Sequence, residues 1–229
     1  MKEGIFLPYQ PVLPAERLPV GTLLAFTGGF LDAYTYLCRG NVFATAQTGN
    51  LVLLGLNAAA GDWHRVLYYF IPILAFMLGT LLAELMKNRC SERLFFEWEH
   101  AVLLLEILFL LAIGFVPNTV PHILVNTTVS FVCSLQVHTF RTVVGAPYAS
   151  TMCTGNMRSA MEHLYRYLST KERSSARMVG VYSLIVGTFC AGAAISAWLT
   201  ALFGVRSVWL CCFTLLFASL QIFKGKSHS

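Results

Sequence analysis

The triplet Thr-Gly-Asn occurs twice in this chain, as Thr48-Gly49-Asn50 and as Thr154-Gly155-Asn156. The two copies lie 106 positions apart, which is close to half of the 229 residues. A polar residue precedes each copy within an apolar segment, Asp32 in the first half and Gln136 in the second. A polar, helix-breaking element that recurs in both halves of an apolar chain is the sequence sign of an internal repeat whose halves share a central site.

Each triplet is predicted to begin a helix, because Thr and Asn favour N-caps and Gly permits a close backbone approach. The unpaired N–H groups and the positive dipole end of such a helix can bind an anion. If both helices point toward the membrane midplane, their starts converge there. We therefore predict that both triplets bind substrate; the alternative is simple capping and helix packing. The residues concerned are Thr48, Gly49, Asn50, Thr154, Gly155 and Asn156.

Asp32 is the only aspartate within an apolar segment. A carboxylate there is costly unless it faces a cavity or a partner. It is predicted to relay a proton or cation or to bind substrate; alternatively it forms a structural ion pair or binds the backbone of the broken element. Gln136 occupies the corresponding position of the second half, and its amide suits a ligand or an interhelical hydrogen bond equally.

Arg158 follows Asn156 by two positions, in the first turn of the second predicted helix. A cation is unfavourable at the positive end of a helix dipole, which argues for a specific anionic partner. That partner is predicted to be Asp32 or a substrate. We therefore expect Asp32 and Arg158 to be energetically coupled, either directly or through a bound anion.

The composition indicates an all-α integral membrane protein. Hydrophobic residues make up 56% of the chain and charged residues 12%, against about 25% in a soluble domain. The mean hydropathy is +0.65. The apolar runs are long enough to cross a bilayer and lack the alternation of barrel strands. The expected partner is the lipid bilayer, whereas the net charge of +5 does not indicate nucleic acid, because the basic residues sit between apolar segments.

Eight apolar segments are predicted, four in each half of a single polytopic membrane domain over residues 1–229. The first repeat covers about 18–116, the second about 120–223, and the polar turn Pro117-Asn118-Thr119 separates them. The segments are 20–38, 42–60, 65–87, 99–116, 120–141, 147–168, 177–203 and 206–223.

The second and sixth segments are poor crossings and are predicted to be broken or re-entrant helices. If both dip in and return, the face with the termini carries twelve Lys and Arg, and the other face carries Arg39, Arg65 and Arg206. Eight full crossings would divide these residues nine to six and make the repeats parallel. The positive-inside rule favours six crossings, cytoplasmic termini and inverted repeats.

The motifs resemble a known family. Gly29-Phe30-Leu31-Asp32-Ala33, Val42-Phe43-Ala44 and Thr48-Gly49-Asn50 resemble the signature of the YoaK-like bacterial membrane proteins. Leu135-Gln136 and Thr154-Gly155 resemble the second copy of that signature. The resemblance covers nearly the whole chain. It implies a multi-pass bacterial inner-membrane protein with six spans, and it brings no established substrate or reaction.

The remaining patterns bear on the class of function. The chain has no HExxH, GxSxG or Walker motif, and its seven cysteines form no CxxC pair. We therefore predict no enzyme activity, no cofactor and no metal site. The leading hypothesis is a small secondary transporter or permease for a small, possibly anionic solute. The alternatives are a non-transporting assembly or sensor protein and a membrane-embedded lipid enzyme. A homodimer is compatible with the 25.4 kDa chain.

Overall fold

The computed structural model describes residues 13–90 and 98–226. These residues are mainly helical, as predicted, and each of the eight predicted segments contains one helix. The α-helices are α1 (Leu18–Cys38), α2 (Gln47–Ala59), α3 (Trp63–Cys90), α4 (Trp98–Ile113), α5 (His122–Thr139), α6 (Cys153–Thr170), α7 (Arg173–Phe203) and α8 (Trp209–Lys226). Two 3-10 turns (Pro14–Glu16 and Gly204–Val208) and one antiparallel pair of two-residue strands, β1 (Thr142–Val143) and β2 (Ala146–Pro147), complete the described chain.

Helix length separates two kinds of element. The 21 residues of α1, which begins with a proline in its first turn, extend about 31 Å, close to the thickness of a hydrocarbon core. The 13 residues of α2 extend only about 20 Å. Two stretches of the described chain combine the length and hydropathy of membrane spans: Trp63–Lys87, and Arg173–Lys224, which contains both α7 and α8.

Side-chain contacts show which helix ends lie together. At the end where α1 stops, called the upper end, Arg39 Nη2 donates to the carbonyl of Val116 just after α4, at 2.8 Å. The start of α5 joins them, because Asn126 Nδ2 donates to the carbonyl of Arg39 at 2.7 Å. The Tyr34 hydroxyl donates to the carbonyl of Val205, between α7 and α8, at 3.1 Å. Tyr68, near the start of α3, also donates to the carbonyl of Arg39.

The opposite, lower end holds the start of α1. Trp98 at the start of α4 donates to Thr139 at the end of α5 at 2.8 Å. Glu84 near the end of α3 lies 2.7 Å from Nε2 of His138, close to the same end of α5. The rings of His100 and Phe223 bring the end of α8 to this level. Thus α1, α4 and α7 run upward, and α3, α5 and α8 run downward.

The two short elements behave differently from the other helices. Residues 39–46 leave α1 at the upper end and turn inward to the level of Asp32, and α2 then returns to the upper end, where α3 begins. Residues 140–152 turn inward from the lower end, and α6 returns there. The prediction of irregular backbone followed by a short helix is correct in both halves. The helices begin one residue before each Thr-Gly-Asn triplet.

The helix pairings have a regular pattern. α1 packs along α7 and touches α8, while α5 packs along α3 and touches α4; α2 lies on α3, α6 lies on α7, and α4 meets α8. Exchanging the numbers of the first four helices with those of the last four leaves this set of contacts unchanged. The backbones of α1 and α7 approach closely at Gly29, where a Cβ would lie 2.0 Å from the carbonyl oxygen of Phe189, so only glycine fits there.

Part of the predicted topology falls on residues outside the described part of the chain. The termini and the loops over 88–98 and 169–176 are predicted to lie on one face. Residues 1–12, 91–97 and 227–229 lie outside the described residues, so that prediction stands on the charge distribution of the sequence.

Candidate functional site

The amide of Asn50 closes the first loop, which comprises residues 39–46. Its Oδ1 accepts from the backbone N–H of Phe43 at 3.1 Å, and its Nδ2 donates to the carbonyl of Phe43 at 2.6 Å. Nδ2 also lies 2.9 Å from Oε1 of Gln47. Asn50 is fully buried. Its side chain therefore binds both polar backbone groups of a residue seven positions earlier, much as a neighbouring strand would.

Asn156 closes the second loop, residues 140–152, in the same way. Its Nδ2 donates to the carbonyl of Ala149 at 2.7 Å, and its Oδ1 accepts from the N–H of Ala149 at 3.4 Å. We call each arrangement an Asn clasp. The predicted capping role is wrong, because the N-caps are Ala46 and Met152, and neither makes a side-chain cap hydrogen bond. The asparagines instead fix the backbone that precedes each helix.

Asp32 anchors the first loop to α1. Its Oδ1 accepts from the N–H groups of Thr45 and Ala46, at 2.8 and 3.2 Å. Its Oδ2 is buried and has no hydrogen-bond partner. Of the alternatives that the sequence leaves open, the geometry matches a carboxylate bound to the backbone of the broken element. Charge-assisted hydrogen bonds of this kind are stronger than those between neutral groups.

Arg158 does not pair with Asp32, and the predicted direct ion pair is wrong. Its Nε lies 2.7 Å from Oε1 of Glu162, one helical turn later on α6. The Arg158 side chain is 80% exposed, whereas Asp32 as a residue is only 5% exposed. The helix turns this residue outward, so a local i,i+4 pair replaces the long-range one.

Gln136 anchors the second loop to α5. Its Nε2 lies 3.1 Å from the hydroxyl oxygen of Ser150, and Gln136 is almost fully buried. Behind it stands Glu106 of α4, which is fully buried and accepts from the thiol of Cys133 at 3.7 Å. Glu106 was not among the predicted site residues. A lone glutamate in the apolar run of α4 is the sequence signal that could have identified it.

One cavity of about 610 Å³ lies between the two loops. The first half contributes the end of its loop and the start of α2, and the second half contributes the end of its loop and the start of α6. The lining residues are Thr45, Ala46, Gln47, Thr48, Pro147, Tyr148, Ala149, Thr151, Met152, Cys153, Thr154, Gly155, Asn156, Ser159 and Phe189. The structure thus brings Thr48 of the first triplet and all three residues of the second triplet to one cavity. The other predicted site residues are not among the lining residues, namely Asp32, Gly49, Asn50, Gln136 and Arg158.

The sequence that forms this site is similar to those of known proteins. Residues 20–221 match the family DUF1275, described as a protein of unknown function. The chain belongs to the DUF1275 family. It is 32% identical over 192 residues to the UPF0700 transmembrane protein YoaK of Bacillus subtilis (strain 168). The matched residues cover 80% of this chain and 84% of that protein. No solved structure matches it. The resemblance inferred from the motifs is confirmed, and the chain is a membrane protein of this family.

The cavity of this DUF1275 protein is uncharged and mostly apolar, with a few polar groups in its wall. Hydroxyl, amide and backbone groups line it, and none of the described lining residues carries a formal charge. At the start of α2, the N–H groups of Gln47 and Gly49 bond the carbonyls of Thr45 and Ala46. The start of each helix still carries a partial positive charge. Thr151 adds a buried hydroxyl that has no hydrogen-bond partner. These groups can surround a small solute that accepts hydrogen bonds.

In the part of the chain that the structure describes, no group of three or more His, Cys, Asp or Glu side chains is placed to hold an ion. Six cysteines in that part are free thiols, and Cys153 is the one that lines the cavity.

Proposed function

We propose that this DUF1275 protein is a small secondary transporter or permease that binds a small anionic solute in the cavity between its two loops. The observation that carries the proposal is the shared lining: Thr48 of the first half and Thr154 of the second face the same space. The volume of about 610 Å³ falls within the range of about 300–1,000 Å³ that is typical of small-molecule sites.

The proposed architecture is an inverted repeat with six crossings. The first half would cross as α1, α3 and α4, and the second as α5, α7 and α8, with α2 and α6 as re-entrant helices. Two features support this arrangement. The helix pairings are unchanged when the halves are exchanged, and the up-down-up order of the first half becomes down-up-down in the second. Discontinuous helices at the interface of inverted repeats are a recurring form of transport site.

The proposed orientation places the lower end in the cytoplasm of a bacterial cell, with the protein in the inner membrane. Among the described side chains, the upper end carries three basic residues, Arg39, Arg65 and Arg206. The lower end carries eight, namely Arg17, Lys87, Arg141, Arg166, Lys171, Arg173, Arg177 and Lys224. By the positive-inside rule, both termini would then be cytoplasmic.

The solute class follows from the few polar groups in the cavity wall. Two helix starts and several hydroxyls supply hydrogen-bond donors, whereas no lining carboxylate opposes a negative charge. A purely structural assembly protein would not need an open volume of this size between its halves. The proposal therefore favours transport of a small anion over a purely structural role.

The test is uptake by proteoliposomes, with a panel of small anions that includes chloride, phosphate and short carboxylates. At least one anion should accumulate, and Thr154→Val, which removes an exposed hydroxyl from the lining, should slow its uptake by about tenfold, as expected for the loss of one hydrogen bond to a charged group. Thr128→Val is the matched control, because Thr128 bonds its own helix and is not among the cavity residues. Uptake of no panel anion, together with no anion-induced thermal stabilisation, would overturn the proposal.

A further inference from the structure

Glu106 is a buried acid that takes no part in either Asn clasp. It is fully buried, and it faces the thiols of Cys133 on α5 and of Cys211 and Cys212 on α8. No cation of the described chain is seen in an ion pair with it. The guanidinium of Arg39, just after α1, contacts α4 at Ile113, which lies about 10 Å from Glu106 along the helix. Arg206, in the 3-10 turn between α7 and α8, is exposed. Asp32 of α1 also acts electrostatically on Cys133.

The amide of Gln136 can face Glu106 in two orientations. In one, Nε2 donates to Oγ of Ser150 at 3.1 Å, and the amide oxygen faces Glu106. In the other, Nε2 lies 2.9 and 3.1 Å from the two carboxylate oxygens of Glu106, and the amide oxygen accepts from Ser150 Oγ at 3.1 Å. Both orientations therefore use the same three residues at hydrogen-bond distance.

We propose that Glu106 is a proton-binding site and that Gln136 transmits its protonation state to the cavity loop through Ser150. An ionised Glu106 can only accept hydrogen bonds, so it requires Nε2 of Gln136, and the amide oxygen then holds the hydroxyl hydrogen of Ser150. A protonated Glu106 donates to the amide oxygen instead. Nε2 then donates to Ser150 Oγ, and the hydroxyl hydrogen of Ser150 is released. One proton from bulk water is taken up, and the charge of Glu106 changes from −1 to 0.

The position of Ser150 connects this change to the cavity. Ser150 lies between Ala149, which the Asn156 clasp holds, and Thr151, whose hydroxyl has no partner; both neighbours line the cavity. Release of the Ser150 hydroxyl adds a hydrogen-bond donor to the wall segment, which favours a bound anion. Because linkage is reciprocal, a bound anion then favours the proton. This step rests on the proposed function, and it predicts that proton and anion move together.

Asp32 binds its loop through groups of a different kind. Its Oδ1 accepts from two backbone N–H groups, which can donate but cannot accept. These N–H groups keep their direction whatever the protonation state of the carboxyl group. Asp32 therefore holds the first loop in place, whereas protonation of Glu106 changes the hydrogen bond that Gln136 makes to the second loop.

The proton site is tested on the full-length purified protein by infrared difference spectroscopy between acid and alkaline buffers. We expect one component of the protonated-carboxyl band at acid pH to be missing in Glu106→Gln and to persist in Glu84→Gln, the control at an exposed acid. A band that is unchanged in Glu106→Gln, or no carboxyl band that responds to pH, would overturn the assignment. Neither result requires a known solute, so the outcome is independent of the transport proposal.

The coupling is tested by the alkylation rate of Cys153, which lines the cavity. Wild type and Glu106→Gln are compared at the same pH, so that the chemistry of the thiol cancels. The introduced amide can donate to Gln136 as a protonated acid does. The rates should agree at acid pH and differ by about threefold to tenfold at alkaline pH, the range expected for one hydrogen bond.

A double-mutant cycle separates coupling from structural damage. Glu106→Gln is introduced into a Gln136→Leu background and into the milder Ser150→Ala background. In both, the alkaline difference that Glu106→Gln causes should vanish, while the infrared band of Glu106 remains wherever that residue is kept. A difference that persists in both backgrounds would overturn the relay, as would equal rates at both pH values in the native background. If the cycle behaves as expected and no anion is transported, the proton switch holds and the transport proposal fails.

Discussion

The first and second loops share one device and differ in another. Asn50 and Asn156 each bind the N–H and C=O groups of the residue seven positions earlier. The anchors behind them differ: Asp32 binds two backbone N–H groups directly, whereas Gln136 reaches its loop through the Ser150 hydroxyl. The repeated asparagines thus fix the backbone shape of both loops. The anchor differs between the halves, Asp32 in the first and Gln136 in the second, and this difference decides which loop can respond to a proton.

The glycines of the two triplets show the same contrast. A Cβ on Gly49 would lie 2.8 Å from the ring of Phe43, so the first loop packs tightly on the start of its helix. Nothing lies within 4 Å of the corresponding point on Gly155, which faces the cavity. The first copy is closed and the second is open, although both have the same three residue types.

The largest expected effect comes from removing the Asn clasps. Asn50→Ala leaves the N–H and C=O of Phe43 without their partner, and each unsatisfied buried group costs about 1–3 kcal/mol. The free energy of unfolding should fall by about 2–5 kcal/mol, measured in detergent by thermal or chaotrope denaturation. Asn156→Ala should cost less, because one of its two bonds is 3.4 Å long.

Asn57→Ala is the control for this comparison, because Asn57 bonds only the carbonyl of Leu53 within its own helix. If Asn50→Ala proves no more damaging than Asn57→Ala, then the clasp does not hold the first loop.

Replacing the first anchor should have the next largest effect. Asp32→Asn removes the charge from the acceptor of two backbone hydrogen bonds, which should cost about 1–3 kcal/mol and leave a folded protein. The expected readout is a lower melting temperature and a first loop that becomes more sensitive to proteolysis. An unchanged melting temperature would show that the carboxylate charge contributes nothing to the loop.

The glycine pair should give smaller effects of opposite sign. Gly49→Ala forces the Phe43 ring to move and should destabilise the protein by about 1–2 kcal/mol, as overpacking does. Gly155→Ala has free space and should raise helix stability by about 0.5–1 kcal/mol. Melting temperatures of the two variants measure the difference. Shifts of equal size and sign would contradict the closed and open description of the two copies.

The smallest effect is expected at Arg158. Its ion pair with Glu162 is exposed and local, so Arg158→Gln should change the free energy of unfolding by less than about 0.5 kcal/mol. Combined with Asp32→Asn, the two effects should simply add. A double variant that is more stable than Asp32→Asn alone would restore the direct coupling that the geometry argues against.

Much of the architecture can be predicted from the sequence because the polar interruptions stand out against apolar helices. The triplets mark the starts of α2 and α6 to within one residue. The partners of the charged groups could not be predicted. Arg39, expected in a loop, is fully buried and binds the Tyr34 hydroxyl and carbonyls beyond α4. Arg158 pairs with Glu162, one turn away on the same helix. The contact between Glu106 and Gln136 depends on the packing of α4 against α5, which no local sequence pattern records.

The most direct test of the account asks whether the two triplets share one cavity. In a Thr48→Cys protein whose other cysteines except Cys153 are replaced, the new thiol is first modified with either a bulky or a methyl-sized reagent. Mass spectrometry then follows the labelling of Cys153. A shared cavity predicts that the bulky adduct on the first half blocks Cys153 on the second half, while the small adduct does not. Labelling of Cys153 at the same rate with both adducts would contradict the central claim.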